Sequence, residues 1–313
     1  MPDDDAPQDT RPAKRRWVVG LGSTLGAGLL VAGVAIVPSL LDGSSPTATV
    51  RITPPVSTPS ASRVPMPTVT ATPGRLRPLR SRVLFGVQSV GQDITKGVRP
   101  AFSKARVAEP KVTTWNKARN SRGPVVATAL IGRNGRAASK LRAFAALVND
   151  APRNSVDVAA MAFNYQDITA DTDVYDLFRS YEDTMESVEG ANPDITFLYS
   201  TAPVTSANSW RAVDRATVAG LGNVNQPAWQ DNIARERFNA LIRERYAQTG
   251  RLFDIAALQA TIDDHKVSAK QHEDQWYYVM NPKLASDGKH LNREGSTRLA
   301  RALMLLVLAA TAR

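Results

Sequence analysis

The chain has 313 residues, 43% hydrophobic and 22% charged, which allows one sizeable core and excludes a wholly disordered protein. The 39 Lys and Arg outnumber the 29 Asp and Glu for a formal charge of +10, which favours anionic partners. Cysteine is absent, so disulfides, thiolate metal sites and lipidated-cysteine anchors are excluded.

Residues 1–16 are polar and end in Lys14, Arg15 and Arg16, reading as a short cytoplasmic tail. Residues 17–38 carry no charge, and about 20 apolar residues suffice for a membrane-spanning helix. The basic cluster before them predicts an outward-facing remainder, placing the protein in the cell membrane as a single-pass chain with the remainder extracytoplasmic. The alternative is secretion after cleavage of a signal peptide near Ala32–Ala35. The apolar run exceeds a usual signal core of about 7–15 residues, which favours the uncleaved anchor.

Residues 39–82 are rich in Pro, Ser and Thr without apolar period, and are expected to form a disordered stalk. Arg75, Arg77, Arg80 and Arg82, followed by Lys96, Arg99, Lys104, Arg106 and Lys111, suggest tethering to an anionic cell-surface polymer. A merely solvated charged face is the competing reading. No zinc spacing or interleaved aromatic pattern supports nucleic-acid binding.

Residues 83–313 alternate apolar strands with amphipathic helices. Strands are expected at Val83–Phe85, Val125–Ile131, Val156–Phe163, Ile195–Tyr199 and Leu252–Ile255. Helices are expected at Ser139–Val148 with Ser139 as cap, Val174–Val188, Trp229–Tyr246 and Leu291–Leu308 with Asn292 as cap. This alternation predicts a three-layer α/β/α domain on a mainly parallel sheet, flavodoxin-like in type. Sites in such folds lie at the carboxyl ends of the strands.

Two stretches could carry chemistry. Ser89 falls in a Gly86–Gly91 turn between a strand and a helix, a position that suits a nucleophile and an N-cap equally. Asp287 and His290 are separated by three positions across Gly288, so the carboxylate can hold one imidazole nitrogen while the other faces a serine. An Asp-Gly turn with a surface histidine is the structural alternative. Asp263, Asp264, His265, His272, Glu273 and Asp274 match no closed metal spacing, so no metal and no cofactor are expected. Trp276-Tyr277-Tyr278 either stacks on a sugar or packs a loop against the body.

Taken together, Ser89 after the first strand and Asp287-x-x-His290 before the last helix resemble the SGNH (GDSL-type) hydrolase family. The middle blocks join the resemblance through Gly132 and Asn134 in Leu130–Gly135, and through Asn164 in Ala162–Ile168. Gln88-Ser89-Val90-Gly91 departs from the usual Gly-Asp-Ser-Leu, and the third block lacks its glycine. The resemblance implies a Ser89 nucleophile, a His290 base and an Asp287 orienter. It also implies an oxyanion hole from the Ser89 and Gly132 N–H groups and the amide of Asn134 or Asn164. The expected substrate is a small-molecule or glycan ester, such as an O-acetyl group. A non-catalytic polymer-binding module is the rival reading.

Overall fold

The computed structural model describes residues 74–207, 229–263 and 266–312. Residues 17–38 and most of the expected stalk lie outside the described residues. Among the described residues no helix is long and apolar enough to cross a membrane.

Six parallel strands form the central sheet: β1 (Arg82–Val87), β2 (Lys111–Thr114), β3 (Val125–Leu130), β4 (Val158–Met161), β5 (Thr196–Ser200) and β6 (Leu252–Phe253). Their order is β2-β3-β1-β4-β5-β6. With the edge strand β2 set aside, this is the order of flavodoxin-like sheets, whose connections reverse direction beside the first strand. The crevice between β1 and β4 is therefore where a site belongs.

The central strand explains the layering. All six residues of β1 are buried, and their side chains alternate between faces. Val83, Phe85 and Val87 join a core with α1 (Ser89–Lys96), α2 (Val98–Lys104), α7 (Ile255–Ala260) and α8 (Arg293–Ala310). Leu84 joins the opposite core, with α3 (Trp115–Ala118), α4 (Ala137–Asn149), α5 (Val174–Ala191) and α6 (Trp229–Tyr246). Gly91 allows α1 to lie tightly on β1, since a Cβ there would stand 2.5 Å from Val87 Cγ1.

Several boundaries differ from the sequence reading. Ser139 lies inside α4, whose N-cap is Arg136, and its hydroxyl instead ties the preceding loop. The strand expected at Val156–Phe163 contracts to Val158–Met161, since Ala162 and Phe163 lead into the site segment and a bend at Asp157, whose side chain accepts from Arg82 N, precedes the strand. The strand expected at Leu252–Ile255 ends at Phe253, where the Asp254 side chain caps α7 by accepting from Ala257 N. The packed body also starts before residue 83, because Leu76 and Leu79 are buried in the core beside α8. Asn292 does cap α8, accepting a 2.9 Å hydrogen bond from Gly295 N.

Three short strands follow α7: β7 (Thr261–Asp263), β8 (Lys266–Val267) and β9 (Ala269–His272), and β9 pairs antiparallel with β10 (Gln275–Tyr278). In β10 Tyr277 and Tyr278 are buried and Trp276 is exposed, so the aromatic run chiefly packs this hairpin onto the body.

Candidate active site

Ser89 is the first residue of α1, directly beyond the C-terminal end of β1. The N-cap is Gln88, with extended backbone and no side-chain cap, so the serine hydroxyl is not consumed in capping. The N–H groups of the first turn have no intrahelical partner and lie at the positive end of the helix. The Gln88 side chain instead donates to the carbonyls of Ile131 (2.9 Å) and Gly132 (3.0 Å), fastening the loop after β3.

That loop is built around Gly132. Its φ of +52° lies in the left-handed region, and a Cβ would stand 2.6 Å from the backbone N of Lys140. Only glycine fits there without displacement of α4. The adjacent amides are engaged, Ile131 N with Val87 O and Arg133 N with Ser139 Oγ. The Gly132 N–H has no partner among the described residues.

Across the crevice, the segment after β4 brings Asn164 to Ser89. Asn164 is 1% exposed, and its Nδ2 donates to Ser89 Oγ at 2.8 Å and to Asn134 Oδ1 at 3.1 Å. The next residue touches the other half of the site. The Tyr165 ring meets the His290 ring edge to face, with centroids 5.8 Å apart. Consecutive residues thus contact Ser89 and His290. No direct hydrogen bond joins Ser89 to His290 among the described residues.

His290 sits in the loop before α8. Its Nδ1 lies 2.7 Å from Asp287 Oδ2, while Asp287 Oδ1 accepts from the backbone N–H of Lys289 (2.9 Å) and His290 (2.8 Å). An ionised carboxylate only accepts, so the proton is on Nδ1 and Nε2 presents a lone pair. Burial pushes the Asp287 carboxyl upward, but the His290 ring and these two N–H groups outweigh it and hold the group down to about 2.

Lys140 and Asp167 complete the site, and the sequence reading did not single them out. Both side chains are 0% exposed, and Lys140 Nζ donates to Asp167 Oδ2 at 2.5 Å and to Asn134 Oδ1 at 3.0 Å. Asp167 Oδ2 also accepts from Asn164 N (2.6 Å), and its Oδ1 accepts from Gly135 N (2.9 Å). The order of donors matters. An ammonium has no acceptor, so Asn134 must turn its oxygen toward Lys140. Asn164 must then present its NH2 to that oxygen, and its second hydrogen points at Ser89. Asn134 therefore supports the site through its carbonyl, while Asn164 supplies the amide beside the serine.

Arg235, also buried, fixes the same segment from behind by donating to Tyr165 O and Ile168 O. A cue to Lys140 existed in the sequence, since it neighbours Leu141 on the buried side of α4. Arg235 offered no comparable cue in a helix dense with charge.

Neither a protein-family model nor a curated relative matches the sequence. Solved structures do. A GDSL-like lipase from Bacteroides thetaiotaomicron is 13% identical at a TM-score of 0.42, with 74% of this chain and 87% of that one covered. A catalytic mutant of an acetylxylan esterase from Geobacillus stearothermophilus is 12% identical at a TM-score of 0.35, covering 74% and 93%. A peptidoglycan O-acetylesterase is 14% identical at a TM-score of 0.36, covering 58% of this chain and 45% of that one.

Proposed function

We propose that the protein is a serine esterase acting on short acyl esters, with O-acetyl groups of surface glycans as the substrate class. The observation that carries this reading is the Asn164 amide, aimed at Ser89 Oγ where α1 begins. A hydroxyl at a helix N-terminus with a fixed N–H donor beside it matches what acyl transfer requires.

In this mechanism His290 Nε2 takes the Ser89 proton as Oγ attacks the ester carbon. Negative charge develops on the former carbonyl oxygen, where Ser89 N–H, Gly132 N–H and Asn164 Nδ2 converge as donors. The tetrahedral intermediate collapses, and His290 returns the proton to the departing alcohol. Water, deprotonated by the same imidazole, then attacks the acyl-serine, and as the C–Oγ bond breaks His290 returns that proton to Ser89 Oγ and the acid is released. Asp287 holds the tautomer throughout. The Ser89–His290 hydrogen bond is assigned to the reacting complex, since such contacts tighten when substrate is in place.

The proposal includes membrane attachment through residues 17–38, which rests on their uninterrupted apolar run. Full-length protein should then remain in the membrane fraction after a carbonate wash. A soluble product beginning near residue 36 would mean signal cleavage instead.

The catalytic reading is tested by fluorophosphonate labelling of the full-length protein, which traps only an activated serine. Labelling should occur in the wild type and be lost in both Ser89→Ala and His290→Ala. An unlabelled but folded wild type would overturn it.

A further inference from the structure

Away from Ser89, the face formed by α1, α2 and α8 bears an open groove of about 1630 Å³. Seven cationic and two anionic side chains line it, and neither Ser89, Asp287 nor His290 is among them. The cations come from separate parts of the chain. Arg75 precedes β1, Lys96 ends α1, Arg99 and Lys104 belong to α2, and Arg293, Arg298 and Arg301 belong to α8. Convergence of positions more than two hundred residues apart is a product of the fold, which a charge run in sequence cannot show.

Some of this charge is already matched. Arg99 pairs with Glu109 at 2.7 Å, and Lys96 pairs with Asp93 at 2.9 Å. Arg301 donates to Gly74 O and Arg298 to Thr261 O, contacts that orient the guanidinium groups without neutralising them. Arg75, Lys104 and Arg293 are exposed and have no ion-pair partner among the described residues. The groove keeps a strong positive excess.

We infer that this groove is a binding site for a linear polyanion of phosphodiester-linked polyol units. Arg293, Thr297 and Arg301 recur every fourth residue down one side of α8, a row about 12 Å long. The two arginines of that row, with Arg75, Arg99 and Lys104 lining the same groove, spread positive charge along its length, which suits an extended anionic chain. Five of the seven cations are arginine, whose planar fork matches a phosphate better than an ammonium does. No Phe, Tyr or Trp lines the groove, so nothing there stacks on the bases of a single-stranded nucleic acid. Its concave form, with few apolar residues, suits a chain rather than a bilayer surface. The site does not depend on the serine mechanism and would hold the enzyme on an anionic polymer while Ser89 acts elsewhere.

The test uses detergent-solubilised full-length protein and end-labelled poly(glycerol phosphate), read by fluorescence anisotropy. Binding should weaken as salt rises. The combined Arg75→Gln, Lys104→Gln and Arg301→Gln variant should lose about tenfold in affinity with unchanged fluorophosphonate labelling. A charge-matched control, Arg122→Gln, Arg153→Gln and Lys270→Gln, should lose less than about twofold. Equal loss in the two triple variants would overturn the site. Equal or tighter binding of polygalacturonate, a single-stranded oligonucleotide or anionic phospholipid vesicles would overturn the assignment of the ligand.

Discussion

Lys140 and Asp167 form an ion pair at 2.5 Å with neither side chain exposed, which joins α4 to the loop after β4, and their bonds to Asn134 and Gly135 tie in the loop after β3. A buried pair adds little net stability over an apolar pair, but removing one partner leaves a charge without compensation. Burial draws the Lys140 ammonium below its ordinary value, and Asp167 opposes that shift. The pair's contribution is orientation, since it dictates which way the Asn134 and Asn164 amides face. Lys140→Met should therefore lower unfolding free energy by about 3–5 kcal/mol in chemical denaturation. Adding Asp167→Asn should recover part of that stability. It should not recover turnover, because Asn134 would no longer be held oxygen-first. Recovery of both together would remove Lys140 from the orientation of the site.

The two candidate asparagines should separate by kinetics. Asn164 directs an N–H at Ser89, whereas Asn134 offers its oxygen to Lys140 and Asn164. Asn164→Ala should reduce kcat about 100- to 1000-fold with little change in KM, as loss of an oxyanion donor does. Asn134→Ala should cost less, through disorder of its neighbour. A larger loss in Asn134→Ala would exchange their roles.

What the sequence disclosed follows from the range of the signal. The strand expected at Val125–Ile131 was legible as a continuous apolar run, and Trp229–Tyr246 by the inward spacing of Ile233, Phe238, Leu241 and Ile242, and the structure forms both, the strand ending at Leu130. Ser89, Asp287 and His290 could be singled out as candidates because each lies within two residues of a glycine, near the end of β1 or ahead of α8. Lys140, Asp167 and Arg235 were not, because their significance lies in partners 27 to 70 residues away. Nor could a one-dimensional charge run reveal that the α8 arginines line one groove with Arg99 and Lys104 of α2. The choice between Asn134 and Asn164 required knowing where one ammonium points.

Gly132 should tolerate no side chain. Gly132→Ala would hold a Cβ in left-handed backbone at a cost of about 1–2 kcal/mol, in addition to its collision with the start of α4. Relief requires the loop to shift, which displaces the proposed oxyanion N–H. The variant should fold with reduced stability and label with fluorophosphonate at least about tenfold more slowly. Normal labelling in a destabilised variant would mean that the Gly132 N–H does not serve the oxyanion. Gly123, with a positive φ but open space around it, provides the control, since Gly123→Ala should cost stability without slowing labelling.

Asp287 should stay ionised far into acid. Its folded-state value of about 2 lies below the ordinary 3.8. The charged form is thus favoured by folding, a contribution present above about pH 4 and lost as pH falls through about 2. A carbon-detected NMR titration should place the Asp287 midpoint near 2. In His290→Ala it should rise, because the ring contact that lowers it is lost while burial still raises it. An unmoved midpoint would show that the backbone alone sets the shift and that the ring contact is incidental. Turnover lost between pH 7 and pH 4 must then arise from a group other than Asp287. Asp287→Asn should in contrast lower turnover about 10,000-fold across the whole range, because an amide can donate to Nδ1 and so place the proton on Nε2, where it blocks acceptance from Ser89.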